Sequence, residues 1–282
     1  MSTTALKPKS VPQNVGRVTL QNLRDKKQRQ EPIAMLTAYD CPTAKLLAAA
    51  GVDVLLVGDS AATTLLGADS TVEATLDFMV TLTGAVRRGA PDAFVMADMP
   101  FATYPDNATA VTNAARFVRE AGADAVKFEM DSRHVGMVEA LTAGGIIVCA
   151  HVGLLPQRAA QQGGYVAQGR TPAEAKTLVE TAAALARAGA QLLLIEAVPD
   201  EVTAEIQRHV TCPIFGCGAG PSADGHVIVL HDMLGFGDRV PRFVERFGDV
   251  PAAIEEAARR YVAAVHTRTY PADRHQYRMK TD

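Results

Sequence analysis

Four acidic residues stand at equivalent places along this chain. Three segments share one grammar: AAGVDVLLVGD (49–59), EAGADAVKFE (120–129) and RAGAQLLLIE (187–196). Each closes a helix with Ala-Gly, where the glycine suits the left-handed capping conformation, then runs through an apolar strand into an acid. The acids are Asp59, Glu129 and Glu196, and a fourth strand, FVMAD, ends in Asp98. Carboxylates gathered at one place raise one another's pKa unless something neutralises them, and a divalent cation does so economically. With no His or Cys partner, such a set favours a hard ion such as Mg2+. An acid after a strand also serves to cap the next helix or to pair with a neighbouring Lys or Arg. Lys127 lies two positions before Glu129 on the same strand, so both point to one face, either balancing the acids, holding an anionic substrate or forming a structural ion pair. His151 ends the run Ile146–Ala150 and is placed to donate a hydrogen bond to a substrate, or to serve as a structural histidine.

The elements that must position these residues alternate. Apolar runs of strand length are Ile33–Ala38, Val52–Val57, Phe94–Ala97, Ala125–Phe128, Ile146–Ala150, Leu192–Ile195, Ile214–Cys217 and, with the weakest pattern, His226–Leu230. Runs without in/out alternation indicate strands covered on both faces, as in a parallel sheet. Helical patterns cover Pro42–Ala50, Thr75–Arg88, Ala108–Ala121, Val135–Ala143, Ala173–Ala188 and Val202–His209, with a last one at Pro251–His266 that opens on a proline. Eight strands alternating with helices predict a single (β/α)8 TIM barrel, whose active site would lie at the C-terminal strand ends. An open doubly wound sheet is the second reading, but the first strand runs into Tyr39, Asp40, Cys41 and Pro42, not into a glycine-rich nucleotide loop. Residues 1–17 read as a flexible N-terminal arm with a short polar helix over Val18–Gln28 after it, and 18–282 as the barrel domain.

The whole-chain arithmetic is that of an ordinary soluble globular protein. In 282 residues, 28 Lys+Arg against 31 Asp+Glu leave a net charge of −3 with His neutral, so no basic stripe points to nucleic acid or an anionic membrane. The four cysteines, Cys41, Cys149, Cys212 and Cys217, form no CxxC pair and read as reduced thiols. No signal-like apolar segment opens the chain, and no apolar stretch approaches the ~20 residues of a membrane span, so a cytoplasmic protein is expected. Two glycine-containing segments carry weaker signals. GCGAG (216–220) would let backbone approach a phosphate or form a tight turn. QGGYVAQGR (162–170) has the length of a flap over a barrel mouth, or of an ordinary surface loop.

At these residues the chain resembles a known family. TAYD (37–40), VGDS (57–60), DST (69–71), AVRRGAP (85–91), ADMPF (97–101), AGADAVKFE (121–129), HVGLLPQ (151–157), GGY (163–165), QGR (168–170), IEAVP (195–199), GCGAG (216–220), DGH (224–226) and LHDMLGF (230–236) resemble ketopantoate hydroxymethyltransferases, in order, from about Val18 to about His275. The resemblance implies a barrel of the phosphoenolpyruvate mutase/isocitrate lyase superfamily. It implies transfer of a one-carbon unit from 5,10-methylenetetrahydrofolate to 3-methyl-2-oxobutanoate, giving 2-dehydropantoate for pantothenate biosynthesis. By motif, Asp59 and Asp98 match the family's magnesium ligands, and Glu129 matches a further contact to that ion, direct or through water. Asp59, Ser60, Asp98 and Lys127 match its 2-oxo acid contacts, and Glu196 its catalytic base. A homodecamer is the assembly the resemblance implies. The chain departs from the family pattern at Ala61 and Ala62 after VGDS, at Ala68 before DST, and at Met130 and Asp131 after Glu129. These departures keep a paralogue acting on a related 2-oxo acid in play. A superfamily lyase or mutase is a further alternative, although no KKCG-like segment is present. A non-catalytic binding protein would gain nothing from Glu196.

Overall fold

The computed structural model describes residues 16–237 and 240–280. The eight apolar runs form eight parallel strands that close into a barrel in sequence order. In chain order the elements are α1 Leu20–Gln28, β1 Ile33–Thr37, α2 Cys41–Ala49, β2 Val54–Val57, α3 Ala61–Leu66, α4 Leu76–Gly89, β3 Phe94–Asp98, α5 Asn107–Ala121, β4 Ala125–Glu129, α6 Val135–Ala143, β5 Val148–Gly153, α7 Pro172–Arg187, β6 Leu192–Glu196, α8 Asp200–His209, β7 Ile214–Cys217 and β8 Gly225–Ile228. This is the expected (β/α)8 architecture, and the open-sheet reading is excluded because β1 pairs with both β2 and β8. The expected N-terminal arm lies outside the described residues, apart from Gly16 and Arg17.

Side-chain parity explains both the core and the mouth. Ile33 and Met35, Val54 and Leu56, Phe94 and Met96, Ala125, Cys149, Leu192 and Leu194, Phe215 and Val227 form one buried apolar cluster. Within each strand these residues are two apart, so they fill the barrel interior in layers. Val18 and Leu23 join the same cluster from the α1 end of the chain. Lys26 and Lys27 of α1 pair with Asp53 and Asp224, which precede β2 and β8, at 2.5 and 2.7 Å. The helix thus packs across the N-terminal strand ends, leaving the C-terminal ends to carry function.

Local rules set the helix boundaries. Thr75, Asp106 and Thr171 cap α4, α5 and α7 by accepting backbone N–H groups in the first turn. Gly122 ends α5 in the left-handed conformation at φ 73°, as the Ala-Gly grammar predicts. The chain divides into two compact units, 1–229 and 230–282. The second unit contains α9, Leu230–Met233, and α10, Val250–His266, the latter capped by Asp249 and entered through Pro251. Two elements went unread in the sequence, α3 and α9. Both are too short, at 6 and 4 residues, to show a helical period.

Candidate active site

Counting two residues up each strand from the apolar cluster leads directly to polar side chains. Asp98 follows Met96, Lys127 and Glu129 follow Ala125, His151 follows Cys149, and Glu196 follows Leu194. All five keep the inward parity at the C-terminal layer of the barrel. Register brings them together in pairs, because Asp98 faces Lys127 across β3–β4 and Glu129 faces His151 across β4–β5. Asp59 arrives differently, two residues beyond β2 in the turn that leads into α3. Asp59, Asp98, Lys127, Glu129 and His151 are all buried.

The turn at Asp59 depends on Gly58. A Cβ at that position would stand 2.9 Å from Ser60 Oγ and 3.5 Å from Asp98 Oδ2. Its absence lets the Asp59 N–H reach Asp98 Oδ2 at 3.0 Å. Ser60 is the N-cap residue of α3 but makes no side-chain cap. Its hydroxyl instead meets the Tyr39 hydroxyl at 2.8 Å, half-buried beside the acids. The alternative role for strand-end acids, capping the next helix, falls to other residues: Asp40 caps α2, Asp106 caps α5 and Asp131 caps the short turn after β4.

Pairing with a neighbouring cation is realised at one of the four acids. Lys127 Nζ lies 2.7 Å from Asp98 Oδ1 and 3.1 Å from His151 Nδ1. Burial pulls the Lys127 ammonium down, but Asp98, Asp59 and Glu129 more than offset that, so it stays charged. Burial and the adjacent Lys127 push the His151 imidazole well below its ordinary range, so the ring is neutral. His151 Nε2 lies 3.4 Å from Glu196 Oε2. Burial pushes the Glu196 carboxyl up to about 7, against the pull of Lys127. Burial and the neighbouring Asp98 carboxylate push Asp59 up to about 7 as well, and burial holds Glu129 well above its usual value.

Backbone geometry fixes Glu196 from both sides. Gly153, at φ 98°, lies opposite Glu196 in the β5–β6 register, and a Cβ there would come 2.4 Å from the Glu196 carbonyl oxygen. The following residue, Ala197, holds a left-handed φ of 48°, uncommon for a residue with a side chain. Hydrogen bonds to Cys217 and from Gln168 retain it there. Backbone strain beside a pocket acid is a recurrent feature of functional sites.

Gln157 is a site residue that the sequence reading quoted within HVGLLPQ but gave no role. Its backbone N–H donates to both Glu129 oxygens at 3.0 and 3.1 Å, and its amide donates to Asp59 Oδ2 at 2.8 Å. The signal available was position alone: a polar residue six after His151, behind a proline. Among the described residues, no three His, Cys, Asp and Glu side chains are placed to enclose a metal ion. Gln157 hydrogen-bonds to two of the three expected ligands, Glu129 and Asp59. Asp59 and Asp98 do lie side by side, with Asp98 Oδ2 accepting from the Asp59 N–H and Asp98 Oδ1 paired with the Lys127 ammonium. Two adjacent hard carboxylates suit Mg2+, which commonly takes one or two protein carboxylates and fills its shell with water and substrate.

The departures from the family pattern fall into ordinary local structure. Ala61 and Ala62 are buried in the first turn of α3, where alanine is favourable. Met130 is buried, and its N–H donates to the His151 carbonyl. Asp131 accepts from Arg133 and Arg158, and its carboxyl lies well below the usual range as a result. Gln162–Arg170 forms an irregular connection from β5 to α7, with Tyr165 exposed. No helix among the described residues is long and apolar enough to cross a membrane.

The chain matches the family described as ketopantoate hydroxymethyltransferase over residues 17–273. It is 46% identical over 258 residues to a 3-methyl-2-oxobutanoate hydroxymethyltransferase of Geobacillus sp. (strain WCH70), covering 91% of this chain and 92% of the relative. It is 45% identical over 255 residues to the protein of that name from Bacillus subtilis (strain 168), covering 90% and 92%. Among solved structures, the fold is similar to a phosphonopyruvate hydrolase in complex with oxalate and Mg++, with a TM-score of 0.61, 15% identity and 92% of each chain covered. It is similar also to a phosphoenolpyruvate phosphomutase from Streptomyces platensis subsp. rosaceus, with a TM-score of 0.61, 17% identity and 88% of each chain covered. With the family match spanning nearly the whole barrel and the acids at its mouth, the chain belongs to the ketopantoate hydroxymethyltransferase family.

Proposed function

We propose that this enzyme transfers a hydroxymethyl group from 5,10-methylenetetrahydrofolate to 3-methyl-2-oxobutanoate, with Glu196 as the base that removes the C3 proton. Hydroxymethyl transfer to 3-methyl-2-oxobutanoate is the activity named for the relatives that are 45–46% identical to it. The observation that carries the reading is Glu196 itself, a carboxyl pushed up to about 7, at the inner face of the barrel mouth beside a neutral imidazole. A base with a pKa near the working pH is suited to take a carbon-bound proton.

Asp59 and Asp98 are the residues suited to hold Mg2+, with Glu129 contributing through water. The cation would supply Lewis acidity toward the keto oxygen of the 2-oxo acid. Lys127 and Ser60 bind and orient the substrate carboxylate, the buried ammonium offsetting negative charge there. His151, neutral and already engaged by Lys127, keeps its Nε2 within 3.4 Å of Glu196 and is free to donate a hydrogen bond to the substrate. Glu196 takes the proton from C3, and the electron pair left there bonds to the methylene carbon of the folate; that carbon gives up its two bonds to the folate nitrogens and takes its hydroxyl from water, so that tetrahydrofolate leaves. The free cysteines support a reducing compartment such as the cytoplasm, and family membership supports a homodecamer. The test is a panel of 2-oxo acids assayed with methylenetetrahydrofolate and Mg2+. The reading expects 3-methyl-2-oxobutanoate to give the highest kcat/KM. A preference for another 2-oxo acid would assign this chain to a paralogue.

A further inference from the structure

The hydrogen bonds of Gln157 use its backbone N–H and every polar atom of its side chain. The backbone N–H is taken by Glu129, the two amide hydrogens by Asp59 Oδ2 at 2.8 Å and the Met99 carbonyl at 2.9 Å, and Oε1 accepts from the Tyr104 hydroxyl at 2.8 Å. Gln157 and Tyr104 are both buried. A buried amide with all donors and acceptors satisfied has one orientation, since a flip would set its oxygen against Asp59 and the Met99 carbonyl. The backbone is fixed too. Pro156 opens the single turn Pro156–Arg158 and holds Leu155 extended before it, at φ −118° and ψ 97°. Tyr104 is fixed by its edge-on contact with the buried ring of Phe128, centroids 5.4 Å apart.

We propose that Gln157 is a positioning residue for the cation site: it holds Glu129 back by its main chain and aims Asp59 by its side chain. One loop after β5 thereby sets the spacing of an acid on β4 and an acid in the turn after β2. The amide binds only Oδ2 of Asp59, which leaves Oδ1 to a cation. The N–H bond to both oxygens of Glu129 keeps that carboxylate out of the inner set, in agreement with the lack of a three-acid cage. Tyr104 acts at one remove, by locking the amide. This inference rests on the reading of Asp59 as a cation ligand, and its test separates the two.

The experiment is Mn2+ binding by electron paramagnetic resonance on the metal-depleted, full-length protein without substrate. The variants are Gln157→Met, which keeps the volume and removes the amide, Tyr104→Phe, their double variant, and Asp59→Asn. Loss of an outer-shell partner typically weakens metal affinity about 10–100-fold, and that is the expected effect of Gln157→Met. Tyr104→Phe should weaken binding in the same direction by less. The double variant should be no weaker than Gln157→Met alone, because both act through one amide. In turnover, the half-saturating Mg2+ concentration should rise while kcat at saturating Mg2+ returns to about the wild-type value. Wild-type Mn2+ affinity in folded Gln157→Met, with Asp59→Asn binding lost, overturns the role of Gln157 and leaves Asp59 as a ligand. If Gln157→Met does not fold, wild-type affinity in Tyr104→Phe overturns the proposal in its place. Unchanged binding in Asp59→Asn overturns both readings.

Discussion

Lys127 Nζ lies 3.1 Å from His151 Nδ1, and this contact fixes the state of the imidazole. A charged ammonium has no acceptor, so Nδ1 must accept and the ring proton of the neutral imidazole must sit on Nε2. Nε2 lies 3.4 Å from Glu196 Oε2. A polar row therefore crosses four neighbouring strands, from Asp98 through Lys127 and His151 to Glu196. The charge of Lys127 is held by Asp98 at one end, and its field reaches Glu196 at the other.

The acid limb of the pH–rate profile should report Glu196. Protonated, the carboxyl accepts no proton, so kcat/KM should rise with pH through about 7 and level off above it. His151→Asn should lower the rate by about 10-fold by loosening Glu196 and keep the limb in place. Loss of the limb in that variant would assign the titration to His151.

Lys127→Met should destabilise the protein and move the limb upward. Removing one partner of a buried ion pair leaves Asp98 uncompensated, at a cost of about 3–5 kcal/mol. Lys127 also draws the Glu196 carboxyl down, so without it the limb should lie above 7. Thermal melts and residual pH profiles check both effects, and an unmoved limb would contradict the coupling.

Stability of the metal-free protein should carry the same signature. Glu196 has a folded pKa of about 7 against an ordinary value of 4.5, so its stabilising contribution is fully present below 4.5 and is lost as pH rises through 7. Glu196→Gln removes the buried charge and should therefore stabilise the protein by ~1–3 kcal/mol at pH 8 and by much less at pH 5. Denaturant unfolding at the two pH values checks the difference. An equal effect at both would show that Glu196 is not held in a desolvated place.

Much of this site was legible in the sequence because a parallel barrel converts position along a strand into position in space. Asp98, Glu129 and Glu196 each end an apolar run, and such runs all finish at one mouth. Lys127 followed from parity with Glu129. Strand boundaries were read within about two residues at β1, β3, β4 and β6, where the runs are continuous. β5 shifted because Ile146 and Ile147 precede the strand and His151–Gly153 extend it. Gln157 could not be assigned a role from its own position, since its partners Asp59, Tyr104 and Glu129 lie 98, 53 and 28 residues away in sequence. Nor could the link that Gln157 makes between Glu129 and Asp59 be read in advance, because it depends on where one loop N–H points.

The most direct test of the central claim is deuterium exchange at C3 of 3-methyl-2-oxobutanoate, followed by NMR in D2O with Mg2+ and without folate. The wild-type protein should exchange that proton. Glu196→Gln should bind the substrate with nearly unchanged affinity and show no exchange above the uncatalysed rate. Exchange at the wild-type rate in Glu196→Gln would contradict the assignment of Glu196 as the base.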